Sequence, residues 1–203
     1  MSMPLILASK SPRRQELLRE MGIPFSVVLC DTEEIVTAIK PEQVPLINAE
    51  RKAEAVAALH PESLVLGADT VIAIDGQVIG KPKDKADAKR MLRLFSGRSH
   101  EVITGVALIC KKRAIHRVFS VATQVRFLPL SEEVIEEYLQ KVHVLDKAGA
   151  YALQGIASLW IRGIHGDHFN VVGLPVHCLE QLMKRNFGVS LWEIEPPAPS
   201  GKG

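Results

Sequence analysis

Short apolar segments alternate along this 203-residue chain with segments in which apolar residues recur at helical spacing. The apolar segments predict strands over residues 5–8, 25–29, 65–74, 77–79, 102–110, 115–127 and 156–164. The helical spacings predict helices over residues 12–21, 46–59, 85–95 and 132–141, and a last helix that ends near Gly188. Residues 40–45, flanked by prolines, predict a loop. The alternation predicts an α/β fold, and the hairpin signal at Asp75-Gly76 predicts that its sheet is mixed.

Composition and charge limit the classes to which the protein can belong. With 47% hydrophobic and 24% charged residues, the chain can bury a core as one domain, predicted over residues 1–190, and residues 191–203 have the composition of a flexible tail. The net charge of +2, with both signs interspersed, predicts no extended nucleic-acid surface. The three cysteines lie at the edges of apolar segments, as reduced thiols do, and no segment has the length of a membrane span. We therefore expect a cytoplasmic protein.

One predicted strand carries a charge where a buried strand normally carries none. Asp69 lies in the middle of the apolar segment 65–74. A carboxylate buried without a partner would be strongly unfavourable, so Asp69 must meet a cation, a metal, several donors or an opening to water. The alternative is an aspartate that caps a neighbouring loop through hydrogen bonds.

The first predicted helix begins with an unusual charge. Ser11-Pro12 suits its first positions, but Arg13 and Arg14 stand where the helix dipole favours acidic side chains. Guanidinium groups beside the free N–H groups of a helix end favour an anion such as phosphate, and two solvated arginines are the alternative. The lysine of Gly80-Lys81-Pro82, one short hairpin after Asp69, is a further candidate cation, or else a loop lysine in solvent.

Several familiar catalytic motifs are absent from the sequence. It contains no Gly-x-Ser-x-Gly elbow, His-Glu-x-x-His pair, P-loop or Gly-x-Gly-x-x-Gly segment, and His165 and His168 lack the cysteine partners of a structural zinc site. The chemistry that remains consists of four cations and two carboxylates: Arg13, Arg14, Lys52, Lys81, Glu34 and Asp69. Cations that bind phosphate, with carboxylates that hold a metal or activate water, are what phosphoanhydride hydrolysis requires.

Five segments, in order along the chain, carry a family resemblance. They are Ala8-Ser9-Lys10-Ser11-Pro12-Arg13-Arg14, Gly67-Ala68-Asp69-Thr70-Val71, Gly80-Lys81-Pro82, Lys147-Ala148-Gly149-Ala150-Tyr151-x-x-Gln154-Gly155 and Asn170-Val171-Val172-Gly173-Leu174-Pro175. From about Leu5 to Phe187 the chain resembles the Maf (septum-formation-inhibitor) nucleotide pyrophosphatases. The resemblance implies a twisted mixed central sheet flanked by helices, of the Maf/ITPase-like type, split into two lobes around a cleft. It also implies a cytoplasmic homodimer that hydrolyses nucleoside triphosphates to the monophosphate and pyrophosphate with a divalent cation, Mg²⁺ or Mn²⁺.

The same resemblance assigns roles to individual residues. Those that would bind phosphate or line the cleft are Ser9, Arg13, Arg14, Glu34, Lys52 and Lys81. Asp69 would be the proton acceptor or, together with Glu34, a metal ligand, and the choice between Glu33 and Glu34 stays open.

Base choice would depend on Arg13, Thr70 and Gln154. The Gln154-Gly155 pair is similar to the branch that acts on dTTP and UTP, with modified pyrimidine nucleotides as further candidates, rather than to the 7-methyl-GTP branch. Gly166-Asp167-His168-Phe169 departs from the Gly-Ser-Tyr that similar proteins often have, which affects contacts at the edge of the cleft.

A function of another class competes with the enzyme. In a non-catalytic nucleotide-binding regulator of septum formation, the same cations would bind a nucleotide without turnover. Asp69 distinguishes the two, because a protein that only binds polyphosphate gains nothing from a buried negative charge beside its ligand. The sequence therefore favours a pyrophosphatase that acts on dTTP and UTP.

Overall fold

The computed structural model describes residues 3–35 and 40–196. Within them, seven strands form one sheet: β1 (Leu5–Leu7), β2 (Ser26–Val27), β3 (Leu64–Ile74), β4 (Gln77–Ile79), β5 (Ser99–Cys110), β6 (Ile115–Phe127) and β7 (Ile161–His165). The same residues form the helices α1 (Pro12–Glu20), α2 (Gln43–Leu59), α3 (Lys85–Phe95), α4 (Glu132–Lys141), α5 (His168–Val172) and α6 (Val176–Phe187). The predicted α/β class is confirmed. None of these helices has the length and hydrophobicity that a membrane crossing needs.

Strand β3 lies at the centre of the sheet. The strand order is β2-β1-β3-β5-β6-β7, and β4 pairs with the last residues of β3. Strand β1 is parallel to β2 and β3, whereas the other pairs are antiparallel, so the sheet is mixed as predicted. Asp75 and Gly76, with φ of 52° and 73°, form the predicted tight hairpin between β3 and β4.

Successive side chains of β3 point to opposite faces of the sheet. Leu66 and Ala68 belong to a core cluster that also contains residues of α1 and α6. Val65 belongs to another cluster, formed with alanines of α2 on the other face. The alternation therefore directs Asp69 towards α2 and Thr70 towards α1.

Two glycines allow α2 to lie directly on the sheet. A Cβ atom on Gly67 of β3 would lie 2.2 Å from the carbonyl oxygen of Ala49, and one on Gly105 of β5 would lie 2.2 Å from that of Pro45. Gly105 is the residue opposite Asp69 in the β3–β5 pair. Only glycine permits so close an approach of helix backbone to sheet, and this approach brings the polar residues of α2 to Asp69.

A separate core cluster joins β5 and β6 to α3 and α4. At its centre, Nε2 of His100 lies 2.6 Å from the hydroxyl oxygen of Tyr151, and the rings of Phe95 and Phe127 pack around this pair. Burial lowers the pKa of His100 to about 4. The division into two lobes stays a prediction.

Helix α2 begins at Gln43, three residues before its predicted start and inside the predicted loop. The prolines suggested a loop, but Pro45 is the third residue of the helix, in the first turn, where its missing N–H is not needed. The loop prediction for residues 43–45 is therefore wrong.

The predicted strand over 156–164 is wrong in its first half. Residues Ile156–Trp160 form a 3₁₀ turn, and the strand starts at Ile161. Leu159 is 74% exposed, so the apolar residues of this segment do not form the buried face that a strand prediction requires. Leu191 and Ile194 are buried in the core, so the packed chain extends past residue 190, and the remainder of the predicted tail, 197–203, lies outside the described residues.

Candidate active site

A gap separates the two strands that pair with the same edge of β3. Strand β1 pairs with it as far as Leu66, and β4 pairs with it from Ile72 onward. In the described ranges, no strand covers this edge between those two residues. The gap lies beyond the carboxyl end of β1, where open α/β sheets bind ligands. It contains Asp69 and Thr70. Arg13 lines a pocket together with Thr70, and Ser9 is joined to Thr70 through Arg14.

Asp69 is held by two side chains of α2. Its Oδ1 atom accepts a hydrogen bond from Nζ of Lys52 at 2.9 Å, and its Oδ2 atom accepts one from Nδ2 of Asn48 at 3.0 Å. Lys52 and Asn48 are four residues apart, which places both side chains on the same face of the helix. The carboxylate in the apolar strand thus has a cation partner, as its burial requires.

Lys52 joins a second carboxylate to the first. Its Nζ atom lies 2.7 Å from Oε1 of Glu34, in addition to its contact with Asp69. The hydrogen bond from Lys52 lowers the pKa of Glu34, and the charges of Lys81 and Lys10 act in the same direction. The structure therefore brings Glu34 to the site through Lys52, and Lys81 is close enough for its charge to act on Glu34. The backbone carbonyl of Glu33 accepts a hydrogen bond from Nη1 of Arg51 at 3.1 Å, and its side chain makes none to the other described residues.

Arg14 is buried and makes three hydrogen bonds that join distant parts of the chain. It donates through Nε to the carbonyl oxygen of Gly173 (2.7 Å), through Nη1 to Oγ of Ser9 (2.9 Å) and through Nη2 to Oγ1 of Thr70 (2.8 Å). Burial lowers its pKa to about 10, and the negative charge of Asp69 opposes this shift, so the group stays cationic at neutral pH. Two of its five N–H groups make no hydrogen bond to the described part of the chain and can bind phosphate.

Arg13 and Thr70 line a small pocket beside the gap. The rest of the lining comes from Ile72, Val102, Ala148, Tyr151, Ala152, Leu153 and Val171. Most of these residues are apolar, so the pocket suits the flat face of a nucleobase, with Arg13 and Thr70 available for its polar edge. Gln154 follows Leu153, is exposed, and makes no hydrogen bond within the described residues. Its predicted contact with the base stays a prediction.

Comparison with known proteins identifies the family. The family model for Maf-like proteins matches residues 4–186. The chain belongs to this family. A Maf-like relative from Symbiobacterium thermophilum named dTTP/UTP pyrophosphatase is 49% identical, over 93% of this chain and 96% of its own length. Another relative with that name, from Bacillus cytotoxicus, is 46% identical over 89% of this chain and 94% of its own. The solved structure of the Staphylococcus aureus Ham1 protein matches 61% of this chain and 71% of that chain, with 16% identity and a TM-score of 0.46.

The segment Gly166-Asp167-His168-Phe169 leads into α5. Asp167 caps this helix, because its Oδ1 atom accepts from the N–H groups of Phe169 (2.8 Å) and Asn170 (3.2 Å). This segment therefore supplies the cap of α5 and fixes the first turn of the helix, which contains Asn170.

Asn48 is a residue of the Maf-like site that the sequence did not identify. Its amide accepts from the N–H of Ile35 (2.9 Å) and donates to the carbonyl oxygen of Ile35 (2.8 Å), as well as to Asp69. Asn48 thus holds the backbone next to Glu34 and the carboxylate of Asp69 at once. The signal available in the sequence was an asparagine in the alanine-rich predicted helix, four residues before Lys52.

The carboxylates of the Maf-like site fit a hard divalent cation that binds together with substrate oxygens. Across residues 3–35 and 40–196, no group of three or more His, Cys, Asp or Glu side chains could hold a metal ion without further ligands. Each carboxylate oxygen has two lone-pair positions, so Asp69 keeps one on each oxygen after bonding to Lys52 and Asn48. One or two carboxylates supplemented by phosphate oxygens are the usual ligands of Mg²⁺.

Proposed function

We propose that this Maf-like protein hydrolyses dTTP and UTP to the nucleoside monophosphate and pyrophosphate, through attack of water on the α-phosphorus assisted by a divalent metal ion. The observation that carries the proposal is the position of Asp69, a carboxylate fixed by Lys52 and Asn48 at a strand edge that no described strand covers. The name dTTP/UTP pyrophosphatase, borne by relatives at 49% and 46% identity, supports the same activity.

The charges around the gap suit a polyphosphate. Two carboxylates, Asp69 and Glu34, face a larger number of cations: Arg13, Arg14, Lys52 and Lys81. The side chains of Arg13 and Lys81 make no hydrogen bond to other described residues, so their donors can bind phosphate oxygens. Before substrate binds, Lys52 forms an ion pair with both carboxylates and holds them in place, and its single positive charge offsets one of their two negative charges.

The reaction needs a group that takes a proton from water. Asp69 is suited to this because two donors fix its orientation while each of its oxygens keeps a free lone pair. As water attacks the α-phosphorus, its proton passes to the carboxylate and pyrophosphate leaves with the electrons of the broken P–O bond. Arg13, Arg14 and Lys81 stabilise the charge on the phosphate oxygens. A divalent cation, held by Asp69 and Glu34, would supply further neutralisation of that charge.

Release of pyrophosphate tests the proposal directly. The purified protein is supplied in turn with dTTP, UTP, CTP and 7-methyl-GTP, with Mg²⁺ or Mn²⁺, and we expect the highest kcat/KM for dTTP and UTP and no release after chelation with EDTA. Binding of nucleotide without release of pyrophosphate would contradict the enzyme and favour a regulator of septum formation. Preference for 7-methyl-GTP would contradict the pyrimidine specificity.

We infer, in addition, a cytoplasmic homodimer that acts on free nucleotides rather than on nucleic acid. Free cysteines at positions 30, 110 and 178 are consistent with a reducing compartment, and the homodimer is what the family resemblance implies. Light scattering on the eluting peak of a size-exclusion column tests the assembly. The expected mass is twice the 22.3 kDa of the chain, and a monomer at micromolar concentration would contradict it.

A further inference from the structure

A chain of hydrogen bonds runs from Arg14 through two threonine hydroxyls to the backbone of α5. Nη2 of Arg14 donates to Oγ1 of Thr70 (2.8 Å), this oxygen lies 2.9 Å from Oγ1 of Thr104, and Thr104 donates to the carbonyl oxygen of Asn170 (3.0 Å). Thr70 and Thr104 stand directly opposite each other in the β3–β5 pair. Thr104 is completely buried, whereas Thr70 lines the pocket beside Arg13.

The direction of these hydrogen bonds follows from the number of protons. A hydroxyl has one hydrogen, and that of Thr104 is donated to a carbonyl oxygen, which can only accept. The hydrogen between the two threonines must therefore come from Thr70. Because Thr70 also accepts from Arg14, its oxygen keeps one lone pair and has no hydrogen left to donate. Towards a ligand in the pocket, Thr70 can act only as an acceptor.

We propose that Thr104 is a positioning residue for base specificity, which fixes Thr70 as an acceptor and so favours uracil and thymine over cytosine. This inference rests on the proposed function. Uracil and thymine carry a hydrogen on N3, which can be donated to Thr70, whereas N3 of cytosine is an acceptor and would face a second acceptor. A site whose buried polar groups are left unpaired by the wrong ligand discriminates strongly against it.

The neighbouring groups favour a clean test at Thr104. The carbonyl oxygen of Asn170 also accepts from the N–H of Gly173 at 3.0 Å, so it keeps a partner when the hydroxyl of Thr104 is removed. Thr104→Val keeps the shape of the side chain and removes the acceptor for the hydrogen of Thr70. That hydrogen can then turn towards the pocket, where it can be donated to N3 of cytosine.

The experiment compares kcat/KM for UTP and CTP in the wild type, Thr104→Val and Thr104→Ser. We expect the UTP/CTP ratio to fall about tenfold in Thr104→Val, the scale of one hydrogen bond made or lost. We expect Thr104→Ser, which keeps the hydroxyl but loses the methyl group, to retain the wild-type ratio. A role confined to stabilising the fold would lower both kcat/KM values in proportion and leave the ratio unchanged.

An unchanged ratio in Thr104→Val would overturn the inference, and so would an equal fall in Thr104→Ser. If Thr104→Val does not fold, Thr104→Ala provides the same comparison with a smaller apolar side chain. Failure of the proposed function gives a different result, because the wild type itself would then show no preference for UTP over CTP. That result would overturn the inference together with the proposed function.

Discussion

Replacement of Asp69 by asparagine tests the centre of the proposed reaction. The oxygen of an asparagine at this position can accept from Lys52 or from Asn48, but its NH₂ group then faces the other donor. Asn48 cannot turn to relieve this contact, because both ends of its amide are paired with Ile35. We therefore expect the variant to lose about 1–3 kcal/mol of unfolding free energy, the cost of an unpaired buried polar group.

The expected effect on turnover is larger than this loss of stability can explain. Asparagine cannot take the proton from water, so kcat/KM for UTP should fall at least about 100-fold, the lower end of what a general base contributes. Titration calorimetry should still detect nucleotide binding, because the substitution removes a negative charge from a site for an anion. A titration with Mg²⁺ separates the two roles open to Asp69: activity that recovers at high Mg²⁺ identifies a metal ligand, and activity that does not recover identifies a base.

The matched control is Glu33→Gln, which makes the same chemical change one residue before Glu34. Within residues 3–35 and 40–196 the side chain of Glu33 makes no hydrogen bond or ion pair, so this variant should keep wild-type turnover. Wild-type turnover in a folded Asp69→Asn variant would refute the reasoning, since no other carboxylate of the described site is both fixed by two donors and placed in the strand edge.

The remaining predictions concern four other residues. Glu34→Gln should lower kcat/KM about tenfold or more in the same pyrophosphate assay, because Lys52 loses one of its two carboxylates; turnover equal to the wild type would exclude Glu34. Arg14→Lys should lower both kcat/KM and the unfolding free energy, the latter by about 1.5–3 kcal/mol, because an ammonium cannot reach three separate acceptors; urea unfolding checks this, and an unchanged midpoint would contradict it. Gln154→Ala should lower the ratio of kcat/KM for UTP to kcat/KM for CTP, and an unchanged ranking of the nucleotides by kcat/KM would exclude Gln154 from base recognition. His100 has a pKa of about 6.5 in the unfolded chain and about 4 in the fold, so the unfolded chain binds the proton more readily. The free energy of unfolding therefore keeps its full value above pH 6.5 and falls by about 3 kcal/mol in total as the pH falls towards 4. Urea titrations at pH 7 and pH 5 should show a decrease in the free energy of unfolding that is smaller in His100→Gln than in the wild type, and equal decreases would contradict the assignment.

Features encoded by neighbouring residues were predictable from the sequence. The hairpin at Asp75-Gly76 depends only on local turn chemistry and is present as predicted. Helices α3 and α4 begin where predicted, and the residues just before them, Asp84 and Ser131, accept hydrogen bonds as helix caps. The prediction that Asp69 must meet a cation or donors followed from the cost of burying a charge. That argument could name the kind of partner but not the residue, because Lys52 comes from a different element, 17 positions earlier in the chain.

The sequence could not predict how close α2 lies to the sheet or which strand residues stand opposite each other at the gap. The hydrogen bonds of Asn48 to Asp69 and of Thr70 to Thr104 join residues 21 and 34 positions apart, and each depends on the register of strands and on the height of α2 above the sheet. That height is set by Gly67 and Gly105, neither of which has a polar atom in its side chain. A methyl group on Gly105 would lie 2.2 Å from the carbonyl oxygen of Pro45, so α2 would have to move away from the sheet and take Asn48 and Lys52 away from the carboxylate. The chemistry of Asp69 therefore depends on a glycine in the neighbouring strand, because a side chain at that position would leave the carboxylate buried without its two donors.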